Sequence, residues 1–178
     1  GLNYRLAGEV IGAADEVVPM ILKGGGIKNT LIISPPGAGK TTMLRDIVRQ
    51  LSYKSYRVSV VDERSEIAAL CEGRSAFDLG FSTDVLEGVD KAEGMLMVLR
   101  SMSPDVIVTD EIGKQSDIDA IERITNSGAA VIATIHGRNI DMIKRRDDLK
   151  RMLKFFDLII TLSKRKGIGT VEEALTEW

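Results

Sequence analysis

Thr30-Leu-Ile-Ile-Ser34-Pro35-Pro36-Gly37-Ala38-Gly39-Lys40-Thr41-Thr42 is the stretch on which the fold turns. Thr30 to Ser34 is a short apolar run that reads as a strand, and a proline- and glycine-rich loop follows it without a spacer. From Lys40 to about Ser52 the apolar residues Met43, Leu44, Ile47, Val48 and Leu51 recur at three and four positions, the period of a helix. The Gly-Lys-Thr end matches the Walker A pattern, with Ser34 in place of its usual first glycine. Such a loop brings several backbone N–H groups onto one phosphate, which only small side chains permit, and the helix behind it adds its positive end. Pro36, Gly37, Ala38, Gly39, Lys40, Thr41 and Thr42 are therefore the expected nucleotide-binding residues. Lys40 is placed to reach the β and γ phosphates and to act in catalysis, and the Thr41 hydroxyl to bind Mg2+. A plain strand-to-helix turn with a surface lysine is the bland alternative. The order of strand, loop and helix counts against it.

Reading outward, further apolar runs span Arg57 to Val61, Val106 to Thr109, Ala129 to Ile135 and Leu158 to Leu162, with an edge strand expected over Gly169 to Leu175. Helices are expected over Lys91 to Met102, stopped by Pro104, and over Ser116 to Thr125, stopped by Ser127-Gly128. Glu66 to Leu70 reads as one or two helical turns, and Gly73 to Gly88 as a glycine-containing stretch. Strands apolar throughout, and separated by helices, are buried on both faces. They predict an α/β fold with a mostly parallel sheet sandwiched between helices. Residues 1–28 fit this pattern least and are expected to be an N-terminal extension or a linker from a missing domain, with 29–178 as the phosphate-loop domain.

Several strand ends carry chemistry. Asp110-Glu111 leaves the third run, where Asp110 suits the Mg2+ shell and Glu111 the attacking water. Asp62, Glu63 and Glu66 follow the second run. Glu63 is a further candidate for catalysis, whereas Glu66 reads equally well as part of an acidic helix start capped by Ser65. His136 ends the fourth run and suits a γ-phosphate sensor. Arg64 and Arg100 fit arginine fingers acting on a neighbouring copy, or plain surface ion pairs, the safer reading. In an open parallel sheet, ligands bind beyond the carboxyl ends of the strands, and Ser34, Asp62, Asp110 and His136 all lie there.

Composition excludes other classes. The 178 residues carry 24 Lys+Arg against 26 Asp+Glu, so no basic field advertises nucleic acid. Cys71 and His136 are the single cysteine and histidine, which rules out an internal disulfide and leaves no cysteine–histidine zinc set. No apolar run approaches the ~18 residues of a membrane helix, and no signal peptide is visible. Gly1, in place of a methionine, leads us to expect an excised fragment.

Leu99-Arg100-Ser-Met-Ser-Pro104-Asp105-Val-Ile-Val-Thr-Asp110-Glu111-Ile112 resembles the Walker B region of type II and type IV secretion ATPases. Ser127-Gly128 to Thr134-Ile-His136 resembles their histidine box, and Val61-Asp-Glu-Arg-Ser-Glu66 their aspartate box. The longer strings Asn29 to Gly37, Val61 to Ala68, Lys91 to Met95 and Arg100 to Ile107 resemble the sporulation stage III AA family over nearly the whole chain from Asn3. That resemblance implies a RecA-like, additional-strand P-loop ATPase using ATP and Mg2+. It further implies a self-assembled, hexameric ring that works in the cytoplasm against membrane-embedded components of a channel between mother cell and forespore. Secretion ATPases typically have Gly-Glu at Asp110-Glu111 and arginine at Gly113. The first departure brings the metal site nearer ordinary Walker B chemistry, and the second removes an arginine from the carry-over.

Two other classes compete with a motor. A nucleic-acid-dependent RecA-like ATPase shares the core, but four phenylalanines and one tryptophan offer few stacking platforms. The basic stretch Lys144-Arg145-Arg146, with Lys150-Arg151, is interrupted by Asp147-Asp148 and reads as a solvated helix face. A nucleotide-gated scaffold with negligible turnover is the third.

Overall fold

Thr30–Ser34 forms β1, and every residue of it is buried. In this computed structural model, which describes residues 9–178, β1 lies within a seven-stranded sheet. The remaining sheet strands are β2 Val58–Asp62, β5 Thr83–Glu87, β6 Val106–Thr109, β7 Ala130–His136, β8 Leu158–Ser163 and β9 Thr170–Leu175. A two-residue hairpin, β3 Leu70–Cys71 and β4 Arg74–Ser75, stands apart. The sheet order is β5-β2-β6-β7-β1-β8-β9, parallel throughout except for β9, which runs antiparallel to β8. One strand, β7, thus separates the glycine-loop strand β1 from the Asp110 strand β6.

Alternation along the strands sorts the core into two layers. Ile32, Val58, Val60, Val106, Val108, Ile132 and Ile160 face α1 Val17–Ile21 and α2 Lys40–Tyr53. Leu31, Ile33, Val61, Ile107, Val131 and Ile159 face α3 Lys91–Met102 and α4 Gln115–Asn126. That second face also takes Ile140 and Ile143 of α5 Ile140–Lys144, Leu149 of α6 Asp147–Lys150, and Met152 and Leu153 of the 3₁₀ turn Arg151–Phe155. Burying both faces is what makes the strands continuously apolar. The basic stretch is divided between α5 and α6 and exposed, with Arg146 paired to Asp148 at 2.7 Å.

One expectation is corrected, and two segments carry structure that the hydrophobic pattern does not report. Glu66 to Leu70 is not helical. Asp62, fully buried, accepts hydrogen bonds from the N–H groups of Glu66, Ile67 and Ala68 at 2.8–2.9 Å and bends the chain instead. The Glu66 reading as a capped helix start falls with it. The Gly73–Gly88 stretch ends in β5, an edge strand whose polar residues hid it from the hydrophobic pattern. Within the segment expected as extension or linker, Ala14, Val17, Val18 and Ile21 pack into the core on α2, and Asp46 of α2 accepts the Ala14 N–H at 2.8 Å. Residues 1–8 of that segment lie outside the described ones.

Candidate functional site: the glycine loop and the strand ends

Between β1 and α2, Gly39 stands at φ +89°, a left-handed conformation that favours glycine. A Cβ there would meet Ile168 Cγ2 at 2.8 Å and the Gly169 backbone N at 3.2 Å, because the β8–β9 turn lies across the loop. Gly169 N–H donates to the Ala38 carbonyl at 3.0 Å, anchoring that turn. Ala38 turns its methyl into the core. A cleft of about 410 Å³ opens above, lined by Pro36, Gly37, Gly39, Lys40, Thr41, Thr42, Glu66, Glu111, His136 and Ile168. A larger cleft, about 750 Å³, lies about Arg57 and Asp105 at the opposite ends of the strands and shares none of these residues.

The acidic residues sort by depth. Glu111 reaches the cleft, where Lys40 donates to its Oε1 and Arg64 to its Oε2, the latter at 2.8 Å. The hydrogen bond from Lys40 holds the Glu111 carboxyl below its usual range against partial burial, and the charges of Lys40, Arg64 and Lys91 add to it. Its main chain is held as well: N–H donates to Thr134 Oγ1 at 2.8 Å, and the carbonyl accepts from Lys91 Nζ at 2.9 Å. Glu111 itself sits at φ +32°, rare for a residue with a side chain. Asp110, one residue earlier, is buried with neither carboxylate oxygen hydrogen-bonded. Burial pushes its carboxyl above the usual range, opposed by Lys91 and reinforced by Asp62 and Glu111.

Glu63 is not brought to the cleft wall. Its carboxylate stands 3.8 Å from Lys91 Nζ and 4.0 Å from Lys114 Nζ, as a counter-charge beside the site. His136 is exposed at the rim, paired in register with Ser34. Arg64 forms its ion pair within its own chain, and Arg100 donates to the Leu96 carbonyl of its own helix at 3.2 Å.

Lys91 and Ile168 are residues the sequence reading passed over. A lysine opening a helix reads as solvated, and only the fold puts it against the Asp110 strand. Gly167-Ile168-Gly169 carried a signal, an apolar residue between turn-forming glycines, but no sequence rule says which loop the turn will cover.

Among the described residues no cluster of three His, Cys, Asp or Glu could cage a metal. The hard oxygens of Asp110 and Thr41 nevertheless suit Mg2+, which takes one or two protein oxygens together with phosphates and waters. The orphaned Asp110 carboxylate is the feature that fits it.

Fold and site together define a P-loop α/β protein with an additional strand between its glycine-loop and acidic strands. The chain belongs to the family described as Sporulation stage III, protein AA, whose family model matches residues 1–177. It is 40% identical to Stage III sporulation protein AA of Bacillus subtilis over 96% of this chain and 58% of that protein. In structure it is similar to the Legionella pneumophila ATPase DotB, with TM-score 0.62 and 20% identity over 86% of this chain and 46% of that one. It is also similar to the VirB11 ATPase of the Brucella suis type IV secretion system, with TM-score 0.63 and 15% identity over 90% and 50% of the two chains. The chain thus spans about half the length of the proteins it matches. No helix among the described residues is long and apolar enough to cross a membrane.

Proposed function

We propose that this chain hydrolyses ATP with Mg2+ and serves as the motor of a self-assembled ring, hexameric by the family resemblance. In this reading it works peripherally at a membrane in the cytoplasm, on the membrane-embedded components of a sporulation channel between mother cell and forespore. Residues 29–178 are its P-loop unit, with 9–28 packed on α2. The observation that carries the reading is the meeting of Lys40 and Glu111 at the mouth of the glycine loop, over a buried Asp110 whose oxygens accept no hydrogen bond.

The N–H groups of Gly37 through Thr42 hold the phosphates, with Pro36 shaping the start of the loop, and Lys40 turns its ammonium toward the β and γ positions. Asp110 and the Thr41 hydroxyl hold Mg2+, which when bound neutralises charge on the phosphates. Glu111 accepts a proton from the attacking water, and an acceptor held ionised chiefly by Lys40 is in the right form to do so once Lys40 is drawn to the phosphates. His136 stands at the rim where it contacts the γ-phosphate and senses its loss. Glu63 contributes charge beside the site rather than the base.

The test pairs Lys40→Ala with Glu111→Gln, measuring fluorescent ATP binding and phosphate release over a range of protein concentrations. Lys40→Ala is expected to lose binding. Glu111→Gln is expected to keep it while turnover drops by about 10²-fold or more. Intact turnover in Glu111→Gln would remove Glu111 from its role. A wild type that binds no nucleotide ends the whole reading, and activity independent of concentration in a strictly monomeric species ends the ring.

A further inference from the structure

Lys91 occupies a position that elementary electrostatics disfavours twice. It opens α3, where the helix presents its positive end, and its side chain is only 7% exposed. Lysine is almost never buried without partners. Here the partners come from two neighbouring strand ends. The ammonium donates to the Glu111 carbonyl at 2.9 Å, stands 3.6 Å from Asp110 Oδ1, and lies 3.8 Å from Glu63 Oε2. Lys114, which is exposed, faces Glu63 and Asp90 from the far side and does not reach Asp110 or Glu111.

Two contacts decide what this arrangement does. Glu111 is held in a left-handed backbone conformation by one hydrogen bond on each side of its residue, from its own N–H to Thr134 and from Lys91 to its carbonyl. Such a conformation persists only where its surroundings over-determine it. The same ammonium is the nearest cation to Asp110, whose oxygens have no hydrogen bond of their own.

We propose that Lys91 is a positioning residue for ATP hydrolysis: it clamps the main chain of Glu111 so that the carboxylate faces the cleft, and it shares the charge of Asp110 with the metal ion. The proposal rests on reading Asp110 and Glu111 as the metal-holding and water-activating pair. The two roles have opposite signatures. Removing the ammonium frees Glu111 and slows turnover, yet it also removes a positive charge beside the metal position and so strengthens Mg2+ binding. A side chain that merely fills space would weaken both together.

Lys91→Met keeps the unbranched stem and removes charge and donor. Lys91→Gln removes the charge but keeps a donor for the Glu111 carbonyl. Fluorescent ADP is titrated in EDTA, Mg2+ is then titrated against the loaded protein, and steady-state kinetics give kcat and KM. In both variants nucleotide affinity in EDTA is expected to stay within about twofold of wild type, and half-saturating Mg2+ to fall about tenfold. Turnover falls about tenfold or more in Lys91→Met, with KM little changed, and recovers in part in Lys91→Gln. Half-saturating Mg2+ that is unchanged or raised overturns the proposal, as does kcat within twofold of wild type. Should Lys91→Met fail to fold, Lys91→Gln decides on the Mg2+ titration alone. A wild type that binds no nucleotide strikes the ATPase reading itself. A wild type that binds and turns over, beside variants that match it, strikes only Lys91.

Discussion

Asp110→Asn is expected to stabilise the nucleotide-free protein while ending its turnover. The side chain is 2% exposed, and neither oxygen has a hydrogen-bond partner. Burial without hydrogen bonds costs about 1–3 kcal/mol for a polar group by mutational measure, and an ionised one bears more. Lys91 at 3.6 Å offsets part of this, but the carboxyl is still pushed above its usual range, so the balance remains unfavourable to the charge. The asparagine keeps the shape, and Lys91 keeps its bond to the Glu111 carbonyl. The amide is itself a buried polar group without partners, so only the extra cost of the charge is recovered, a net gain of about 1 kcal/mol. For a chain of this length that raises the thermal midpoint by about 2–4 °C. The pH dependence has a definite sign. A carboxyl whose folded value is raised destabilises the fold fully above that value and not at all below the unfolded one. The advantage of Asp110→Asn is therefore largest at mildly alkaline pH and shrinks on acidification toward about pH 4. Melting curves in EDTA at both ends of that range check it. A variant no more stable than wild type in alkali, or an advantage that grows with acid, refutes the reasoning.

Two structural predictions accompany it. Asp62→Ala strands the N–H groups of Glu66, Ile67 and Ala68 in or beside the core and is expected to lower stability by about 3 kcal/mol or more, read as a shift of the urea midpoint at unchanged slope. Gly39→Ala forces a methyl into Ile168 and a left-handed backbone on alanine, so fluorescent ATP binding is expected to vanish, with a stability loss of about 1–3 kcal/mol by thermal melting.

Much of this site was legible because its elements announce themselves locally. The run Thr30 to Ser34, the glycines and the helical spacing after Lys40 specify a strand, a loop and a helix with no help from the rest of the chain, and all three stand where expected. Val106 to Thr109 with Asp110-Glu111 is equally self-contained. What escaped was set by contacts far apart in sequence. Glu66 to Leu70 looked helical from its composition, and the competing structure depended on a buried carboxylate collecting three amides. β5 has no apolar run because it lies at the sheet edge, and its pairing with β2 shows only in register. Lys91 and Ile168 act on residues about 20 and 130 positions away in the chain, which no periodicity reports.

Lys40 has one ammonium and two claimants. In the structure it is bound to Glu111; a nucleotide's β and γ phosphates need the same group. Nucleotide binding must therefore break an ion pair at the mouth of the cleft, and the Glu111 carboxylate becomes available to water only as Lys40 leaves it. Arg64 does not replace Lys40, since its side chain is 61% exposed and such a pair is screened by solvent. Glu111→Gln abolishes the competition along with the base. Its nucleotide affinity is expected to rise about threefold, equivalent to about 0.6 kcal/mol for a partly solvated pair. Fluorescent ADP titrated in EDTA isolates this effect from Mg2+ and from hydrolysis. High salt weakens the competing pair in wild type and should narrow the difference between the two proteins. Affinity in Glu111→Gln equal to or below that of wild type at low salt would show that Lys40 is not shared between carboxylate and phosphate, and the coupling of nucleotide arrival to release of Glu111 would fall with it.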